Sequence, residues 1–222
     1  MIKMLVLIFS TVINIVNADV VFQQTKSLAK TGDRTAQFEL GGMYHHGIGT
    51  SQSINKAIKW YTRSAEQRHS KAQLSLGMIY FKGKLITQDF EKALYWWKLS
   101  AKQKNPISQF MLAMMYYKAA GIKQDFSEAI TWFTKAARLG HKEAAYKLGI
   151  IHFKGQGMMA DSVKSFMWFY IADALGRQGV KDVLDEFDEE LSSDQIAIGS
   201  KRAKKWLERY SERIKALDEL QN

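Results

Sequence analysis

Two adjacent histidines are the residues with the most obvious capacity for chemistry in this sequence. His45 and His46 stand close to the carboxylate of Glu39, and imidazole and carboxylate groups together can bind a transition metal. Adjacent residues of a helix point to different faces, however, and Glu39 is the only acid at a helical interval from His46. A pair of surface histidines is therefore favoured over a metal site, and no metal or cofactor is expected.

Oxygen-bearing side chains at a regular interval form a second group of candidates. Ser53, Asp89, Asp125 and Asp161 are 36 residues apart, and acids of this kind could act as catalytic carboxylates. We favour a structural role, because Ser and Asp at a helix N-cap accept hydrogen bonds from free backbone N–H groups, and Asp125 with Glu128 predicts a capping box. The chain also has no Cys, no phosphate-binding glycine motif and no nucleophile elbow. It is therefore not expected to be an enzyme.

A four-residue word recurs at the same interval and suggests a binding surface. It reads YHHG, YFKG, YYKA and HFKG, and it begins at Tyr44, Tyr80, Tyr116 and His152. On a helix the first residue of the word is expected to pack, while the next two turn towards an inner surface. The predicted partner-binding surface consists of Phe38, His45, His46, Leu74, Phe81, Lys82, Phe110, Tyr117, Lys118, Tyr146, Phe153 and Lys154.

Aromatic rings beside lysines suit an acidic peptide as the ligand of this surface. The rings supply contact area at low entropic cost, and the lysines steer the ligand and set its orientation. On this interpretation Tyr80 and Tyr116 hold the helices together, whereas Phe81, Tyr117 and Phe153 contact the partner. The alternative is that the rings pack between neighbouring repeats and the lysines are only solvated.

These words belong to a 36-residue unit that occurs four times in the chain. Its most regular positions are a leucine column, Leu40, Leu76, Leu112 and Leu148, and a tryptophan column, Trp60, Trp96, Trp132 and Trp168. Apolar residues follow a helical period in both halves of the unit, and glycines separate the halves. Helix pairs of this kind bury their apolar faces by stacking. The predicted fold is all-α, a right-handed α-solenoid (α-α superhelix) of four helix-turn-helix repeats.

Both ends of the repeat array carry predicted caps. In residues 19–33 the apolar positions have the spacing of the second helix of a repeat, so this segment is predicted to be an N-terminal capping half repeat. The four repeats span residues 34–177. Residues 178–222 form a degenerate half repeat and an amphipathic C-terminal capping helix. The basic cluster from Lys201 to Arg209 could instead contact a membrane surface, and the acidic run from Asp182 to Glu190 could be a binding tail. Solvated caps are the favoured interpretation.

The first 18 residues have the features of a signal peptide. Lys3 precedes an apolar run from Met4 to Val16, and Val16-Asn17-Ala18 forms a small-residue cleavage pattern. Export to the periplasm or the cell exterior, with cleavage near Ala18, is therefore expected, with an uncleaved anchor as the alternative. Cleavage would leave 31 basic against 22 acidic residues, a net charge of +9. This balance favours anionic partners such as acidic proteins or lipid headgroups, and export disfavours nucleic acid.

The repeat columns resemble those of the Sel-one-like repeat family, a relative of the tetratricopeptide repeat. The shared pattern is A-x3-L-G-x2-Y-x2-G-x-G followed by D-x2-x-A-x2-W-[YFW]-x2-[AS]-A. It runs from Ala36 to Ala65, from Ala72 to Ala101, from Ser108 to Ala137 and from Ala144 to Ala172. Ala113 and Ala119 stand in place of glycines, and Asp173 interrupts the last alanine column. These departures concern the shape of the loops rather than the fold.

This resemblance implies a scaffold or adaptor that binds other proteins. Exported bacterial proteins of this kind often act in host interaction, envelope assembly or signalling. A protein or peptide is the expected partner, and the chain is expected to be a monomer or to associate weakly. Some members of the family are described as binding or hydrolysing β-lactams, which leaves a hydrolase as an alternative. A structural protein associated with the envelope or the membrane surface is a further one.

Overall fold

The computed structural model describes residues 17–219, except the side chains of residues 213, 217 and 218. The predicted signal peptide lies almost wholly outside this range, and its cleavage stays a prediction. Helix α1 runs through residues 17–30. Four helix pairs follow: α2 Arg34–His46 with α3 Ile54–Glu66, α4 Ser70–Lys82 with α5 Phe90–Lys102, α6 Pro106–Lys118 with α7 Phe126–Ala137, and α8 Lys142–Lys154 with α9 Ser162–Ala174. The last two helices are α10 Lys181–Glu190 and α11 Ser193–Glu219.

The chain forms two compact units, the first ending at Gln103 and the second beginning at Lys104. Helices α1 to α5 belong to the first unit, and helices α6 to α11 belong to the second. Strands are absent from residues 17–219, and each of the four repeats is one helix pair. The predicted fold class, all-α with four helix-turn-helix repeats, is confirmed.

Each second helix begins at the N-cap residue that the sequence predicts. Oδ1 of Asp89, Asp125 and Asp161 accepts a backbone N–H from the third residue of its helix, at 2.9 Å in each case. Ser53 does the same in α3. The predicted capping box at Asp125 is only half formed, because the carboxylate of Glu128 accepts the indole N–H of Trp132 at 3.0 Å instead of returning to the cap.

The ring that follows each tryptophan fills the core of its helix pair. Tyr61, Trp97, Phe133 and Phe169 are at most 4% exposed, whereas Trp60, Trp96 and Trp132 are half-buried. The rings of Tyr61, Trp97 and Phe169 lie directly on Gly41, Gly77 and Gly149 of the first helix of their pair. A Cβ atom at Gly77, for example, would stand 2.3 Å from the indole of Trp97. Glycine is needed there because only its absent side chain lets the ring approach the helix backbone.

Helix α11 packs mainly against α9 at the C-terminal end of the second unit. Ala203 is fully buried, and the ring of Trp206 meets Trp168 edge-on, with 5.5 Å between the centroids. The backbone of Gly199 lies against Phe166, and Ile214 lies against Gly140. The ring of Trp206 helps to cover Trp168, which is the only buried member of the tryptophan column among the described residues.

Every first helix ends in the same left-handed turn, whether or not glycine is present. The C-cap residues Gly47, Gly83, Ala119 and Gly155 have φ values of 73°, 57°, 58° and 63°. A backbone hydrogen bond spans the loop that follows. The N–H of the next N-cap residue donates to the carbonyl of the first residue of the four-residue word, for example from Asp125 to Tyr116 at 3.1 Å. The alanine at 119 therefore leaves the loop shape unchanged and takes a strained backbone conformation.

Replacing Ala119 with glycine should raise the free energy of unfolding by about 0.5–1 kcal/mol. The left-handed conformation costs a non-glycine residue about 1–2 kcal/mol, and glycine loses about 0.5–1 kcal/mol more chain entropy than alanine on folding. Ala120→Gly is the control, since Ala120 has no positive φ and should only lose entropy. Urea unfolding of both variants checks this. An Ala119→Gly variant no more stable than the parent chain would contradict it.

Candidate functional site

The twelve residues of the predicted surface divide equally between the two units. In the first unit, Phe38 and Phe81 are half-buried. The ring of Phe38 lies 5.7 Å from that of Tyr61, and the ring of Phe81 lies 5.1 Å from that of Trp97. Leu74 is also half-buried, while Lys82 is exposed. Part of each ring therefore contributes to the core, and a partner could contact only the part that stays exposed.

The second unit shows the same arrangement with one exception. Phe110, Tyr117 and Tyr146 are half-buried, and their centroids lie 5.2–6.2 Å from the core ring of the same pair. The hydroxyl of Tyr117 also donates to Oε1 of Gln156 at 3.0 Å. Phe153 is the exception, because 48% of its surface is exposed. Phe153 is therefore the ring of this set that is most accessible to a ligand.

The first residue of the four-residue word was predicted to be packed in every repeat, and the structure shows that it is buried in only two of the four. Tyr44 and His152 are buried, but Tyr80 and Tyr116 are only half-buried. In those two helices the residue before the tyrosine fills the core instead, Ile79 and Met115 respectively. The expected contrast between Tyr116 and Tyr117 is consequently not found, since both side chains are half-buried.

The two histidines of the first word stack on each other, so the expectation that they point to different faces is wrong. Their centroids are 4.7 Å apart and their planes are inclined by only 12°. Burial lowers the pKa of His45, and the neighbouring His46 and Lys82 lower it further. No group of three or more potential metal ligands occurs among residues 17–219.

A surface pocket of about 430 Å³ opens beside His45 in the first unit. Ile54 and Met78 line it with apolar atoms, and Lys82 and Lys84 stand at its wall. In the part of the chain that the structure describes, neither lysine forms an ion pair. The pocket therefore combines apolar contact with uncompensated positive charge.

A cluster of four cations lies on the first-helix side of the second unit, and we call it the basic face. It consists of Lys118, Lys147, Lys154 and Arg177. Burial lowers the pKa of the Lys147 ammonium, and the charges of Lys118, Arg177 and Lys154 lower it further. None of the four forms an ion pair with any described acid. The four positive charges therefore repel one another without local compensation.

Two tyrosine rings support the cations of the basic face. The guanidinium carbon of Arg177 lies 3.4 Å from the ring centroid of Tyr146, and Nζ of Lys147 lies 6.0 Å from that of Tyr117. The guanidinium also donates to the carbonyl of Gln178 at 2.8 Å. Stacking and this hydrogen bond hold Arg177 in one orientation, so its remaining N–H groups are available to an anion without a large loss of side-chain entropy.

Sequence reasoning predicted Lys118 and Lys154 and missed Lys147 and Arg177. The positions equivalent to Lys147 are Glu39, Ser75 and Met111, so no column marks it. Arg177 could have been found by extending the 36-residue spacing past the last repeat, because it follows His69, Asn105 and His141 at that interval.

The column that leads to Arg177 consists of N-cap residues of the first helices, and its two histidines stack on a ring of the preceding helix pair. His69 stacks on Phe38 with 4.7 Å between centroids, and His141 stacks on Phe110 at 4.3 Å. Nδ1 of each histidine accepts a helix N–H, from Ala72 at 3.2 Å and from Ala144 at 3.3 Å. One face of Phe38 and one face of Phe110 are therefore covered by a histidine that begins the next helix pair. This is the packing between neighbouring repeats that the sequence left open as the alternative to a partner contact.

The two capping histidines should make the fold less stable in mild acid. Burial lowers the pKa of both, while Asp33 opposes the shift at His69 and Glu143 opposes it at His141. A lowered pKa means that the unfolded chain binds protons first, so this stability is complete above about pH 6.5 and declines below it. Protonation of Nδ1 also removes the acceptor that caps the helix.

Replacing both histidines with asparagine should reduce this acid sensitivity. Asn105 already caps α6 in the same way, with Oδ1 accepting from Ser108 N at 2.9 Å. Urea unfolding at several pH values between 7 and 5 should show a shallower loss of stability in the double variant. Some loss should remain because burial also lowers the pKa of His45 and His152. An unchanged slope would show that the caps do not titrate in this range.

No helix within residues 17–219 is both long and apolar enough to cross a membrane.

The Sel1 repeat family model matches the chain four times in succession, at residues 34–69, 70–105, 106–141 and 142–176. A solved Sel1 repeat protein from Oxalobacter formigenes is 26% identical, with a TM-score of 0.70 over 88% of this chain and 79% of that one. A putative sel1 repeat protein from Klebsiella pneumoniae subsp. pneumoniae shares the fold at 21% identity, with a TM-score of 0.50 over 90% of this chain and 99% of that one.

A shorter match occurs to the putative sel1-like repeat-containing protein L18 of Acanthamoeba polyphaga mimivirus. It is 53% identical over 47 residues, which is 21% of this chain and only 8% of the relative. Sel1 repeat proteins are generally protein-interaction scaffolds, and their fold is typically non-catalytic. Because four consecutive matches cover well over half of its residues, this chain belongs to the Sel1 repeat family.

Proposed function

We propose that this protein is an exported, non-catalytic scaffold that binds an acidic peptide segment of another protein. The observation that carries the proposal is the basic face, where four cations influence one another and none forms an ion pair with a described acid. An anionic ligand would relieve their repulsion, and the half-buried tyrosines beside them would supply contact area. A peptide with two or more carboxylates close together matches this distribution of charge better than a single carboxylate.

The pocket beside His45 supports the same ligand chemistry within the first unit. Lys82 and Lys84 offer charge, and Ile54 and Met78 offer apolar contact. A carboxylate and an apolar side chain of one peptide could be accommodated together there. The proposal does not require one peptide to occupy both this pocket and the basic face.

The features of residues 1–18 support export of the protein. Mass spectrometry of the protein recovered from the extracytoplasmic fraction should find an N-terminus near Asp19. Recovery of the intact 25.4 kDa chain from the cytosol would contradict this part of the proposal and would leave the ligand chemistry unaffected.

Charge reversal on the basic face tests the proposed ligand. Lys118 and Lys154 are exposed, so Lys118→Glu/Lys154→Glu should leave the fold intact, which circular dichroism can verify. Fluorescence anisotropy with a labelled Glu-rich peptide containing one aromatic residue should show binding at least about tenfold weaker, equivalent to about 1.4 kcal/mol. Binding of a matched Lys-rich peptide should be undetectable for the parent chain.

Lys201→Glu/Lys205→Glu is the matched control, because it makes the same change of charge on exposed residues of α11 in the same unit. We expect this variant to weaken binding less than about twofold, through the general field of the protein only. Equal losses in the two double variants would show that binding follows net charge or α11 rather than the basic face. That outcome would overturn the proposal.

A further inference from the structure

We infer that the basic face also binds helix α10 of a second copy of this chain, in a weak head-to-tail contact. The inference rests on the proposed function, since it uses the same face for an acidic ligand. It goes further by naming an acidic segment that competes for that face. Both surfaces belong to the second unit, and each carries an excess of one charge.

Helix α10 presents a dense acidic surface to the solvent. Its exposed acids are Asp182, Asp185, Glu186, Asp188, Glu189 and Glu190. None of them forms an ion pair with another described residue. The helix is held in place from its other side, where Phe187 is 3% exposed and contacts the rings of Phe153, Phe166 and Phe169. The acids are therefore presented by a packed helix rather than by a loose tail.

The charge distribution of α10 is unfavourable within a single copy. Asp185 and Glu189 are four residues apart, as are Asp182 and Glu186, and like charges at this spacing destabilise a helix. The last turn carries acids and no basic residue, although the C-terminus of a helix favours cations. A cationic partner placed along this helix would relieve both effects.

The basic face has the complementary problem. Lys147 and Arg177 lie over the rings of Tyr117 and Tyr146. Burial lowers the pKa of Lys147, and the charges of Lys118, Arg177 and Lys154 lower it further. Within the described chain no acid of α10 forms an ion pair with any of the four cations. Two surfaces of opposite sign that are both uncompensated within one copy can compensate each other between copies. Arg177 and Lys154 would contact carboxylates of the second copy, while the ring of Phe153, which lies 5.9 Å from Phe187 of its own α10, marks the edge of this contact.

The size and symmetry of this contact determine what it can build. The acidic and basic surfaces are different patches of the molecule, so the contact is heterologous and can extend into short chains of copies. A helix of ten residues is only about 15 Å long. It buries much less area than a standard stable interface of about 1,600 Å². Association should therefore be weak, dependent on concentration, and reduced by salt.

Two charge-reversed variants and their mixture test the inference. The face variant is Lys118→Glu/Lys154→Glu, and the helix variant is Asp185→Lys/Glu189→Lys; all four residues are exposed. Sedimentation velocity at low ionic strength should show concentration-dependent association of the parent chain. Each variant alone should associate at least about tenfold more weakly, because the changed face then has no net positive charge and the changed helix keeps only a small excess of acids.

Mixing the two variants should restore association, since the unchanged α10 of the face variant can bind the unchanged face of the helix variant. A mixture that stays monomeric, or a single variant that associates like the parent chain, would overturn the inference. So would a parent chain that remains monomeric at low salt and high concentration. Far-UV circular dichroism confirms that both variants are folded before they are compared.

A labelled peptide of residues 181–190 separates this inference from the proposed function. The peptide should bind the parent chain and bind the face variant at least about tenfold more weakly. If the Glu-rich peptide binds the basic face but the parent chain does not self-associate, this inference is wrong and the proposed function stands. If neither acidic peptide binds the face, both are wrong.

Discussion

Replacing Trp97 with alanine should lower the free energy of unfolding by about 3–5 kcal/mol, as large-to-small changes of fully buried aromatic residues do. Trp97 has no exposed surface. Its indole lies on the backbone of Gly77, contacts Phe81 at 5.1 Å and donates to the carbonyl of Leu74 at 3.3 Å. Alanine would leave a cavity between α4 and α5 and would remove the donor to this carbonyl.

The adjacent residue provides a matched control for this substitution. Trp96 is half-buried and lines a surface pocket with Tyr95 and Leu99, so water can fill the space that its ring leaves. Trp96→Ala should therefore lower the free energy of unfolding by less than half of the loss at Trp97. Urea unfolding followed by far-UV circular dichroism measures both. Equal losses at the two positions would mean that the core ring has been wrongly assigned.

Replacing Gly41 with alanine should destabilise the protein by about 1–3 kcal/mol, the usual range for overpacking in a core. The added Cβ would stand 2.6 Å from Cδ1 of Tyr61. That ring is only 3% exposed, and burial raises the pKa of its hydroxyl to about 12. Surrounded in this way, the ring has little room to move away from the new methyl group.

Gly42→Ala, one position further along the same helix, should have the opposite sign. The added Cβ would approach Tyr61 no closer than 3.6 Å, at the hydroxyl, which is an ordinary contact. Alanine in a helix interior is favoured over glycine by about 1 kcal/mol, so this variant should be more stable than the parent chain. Thermal unfolding of the pair checks the difference. A stabilising effect at Gly41 would show that Tyr61 does not pack as described.

Several features of the fold could be predicted because they depend on local chemistry. An N-cap needs only a side chain that accepts a hydrogen bond on the residue just before a helix. Asp89, Asp125 and Asp161 fulfil this role in the structure. The loop at Ala119 shows the limit of such reasoning. Its sequence lacks the expected glycine, yet the pairing of its two helices imposes the same left-handed turn.

The candidate site could be predicted only in part, because a helical face is defined by what packs against it. The spacing placed Lys118 and Lys154 on one side of their helices, and the structure places both beside Lys147. Arg177 joins them through its contact with Tyr146, a residue 31 positions earlier in the chain. A contact of that kind depends on how successive helix pairs stack, which no local pattern contains.

By itself the sequence determined the repeat length, the division of each repeat into two helices, and the residues that begin and end them. These properties follow from periodicity and from hydrogen bonds between near neighbours. Only the tertiary structure decided which of two adjacent rings, such as Trp96 and Trp97, enters the core, and which cations lie together without an acid. Both outcomes depend on the rotation of each helix against its neighbours, because burial and electrostatic compensation come from residues distant in the chain.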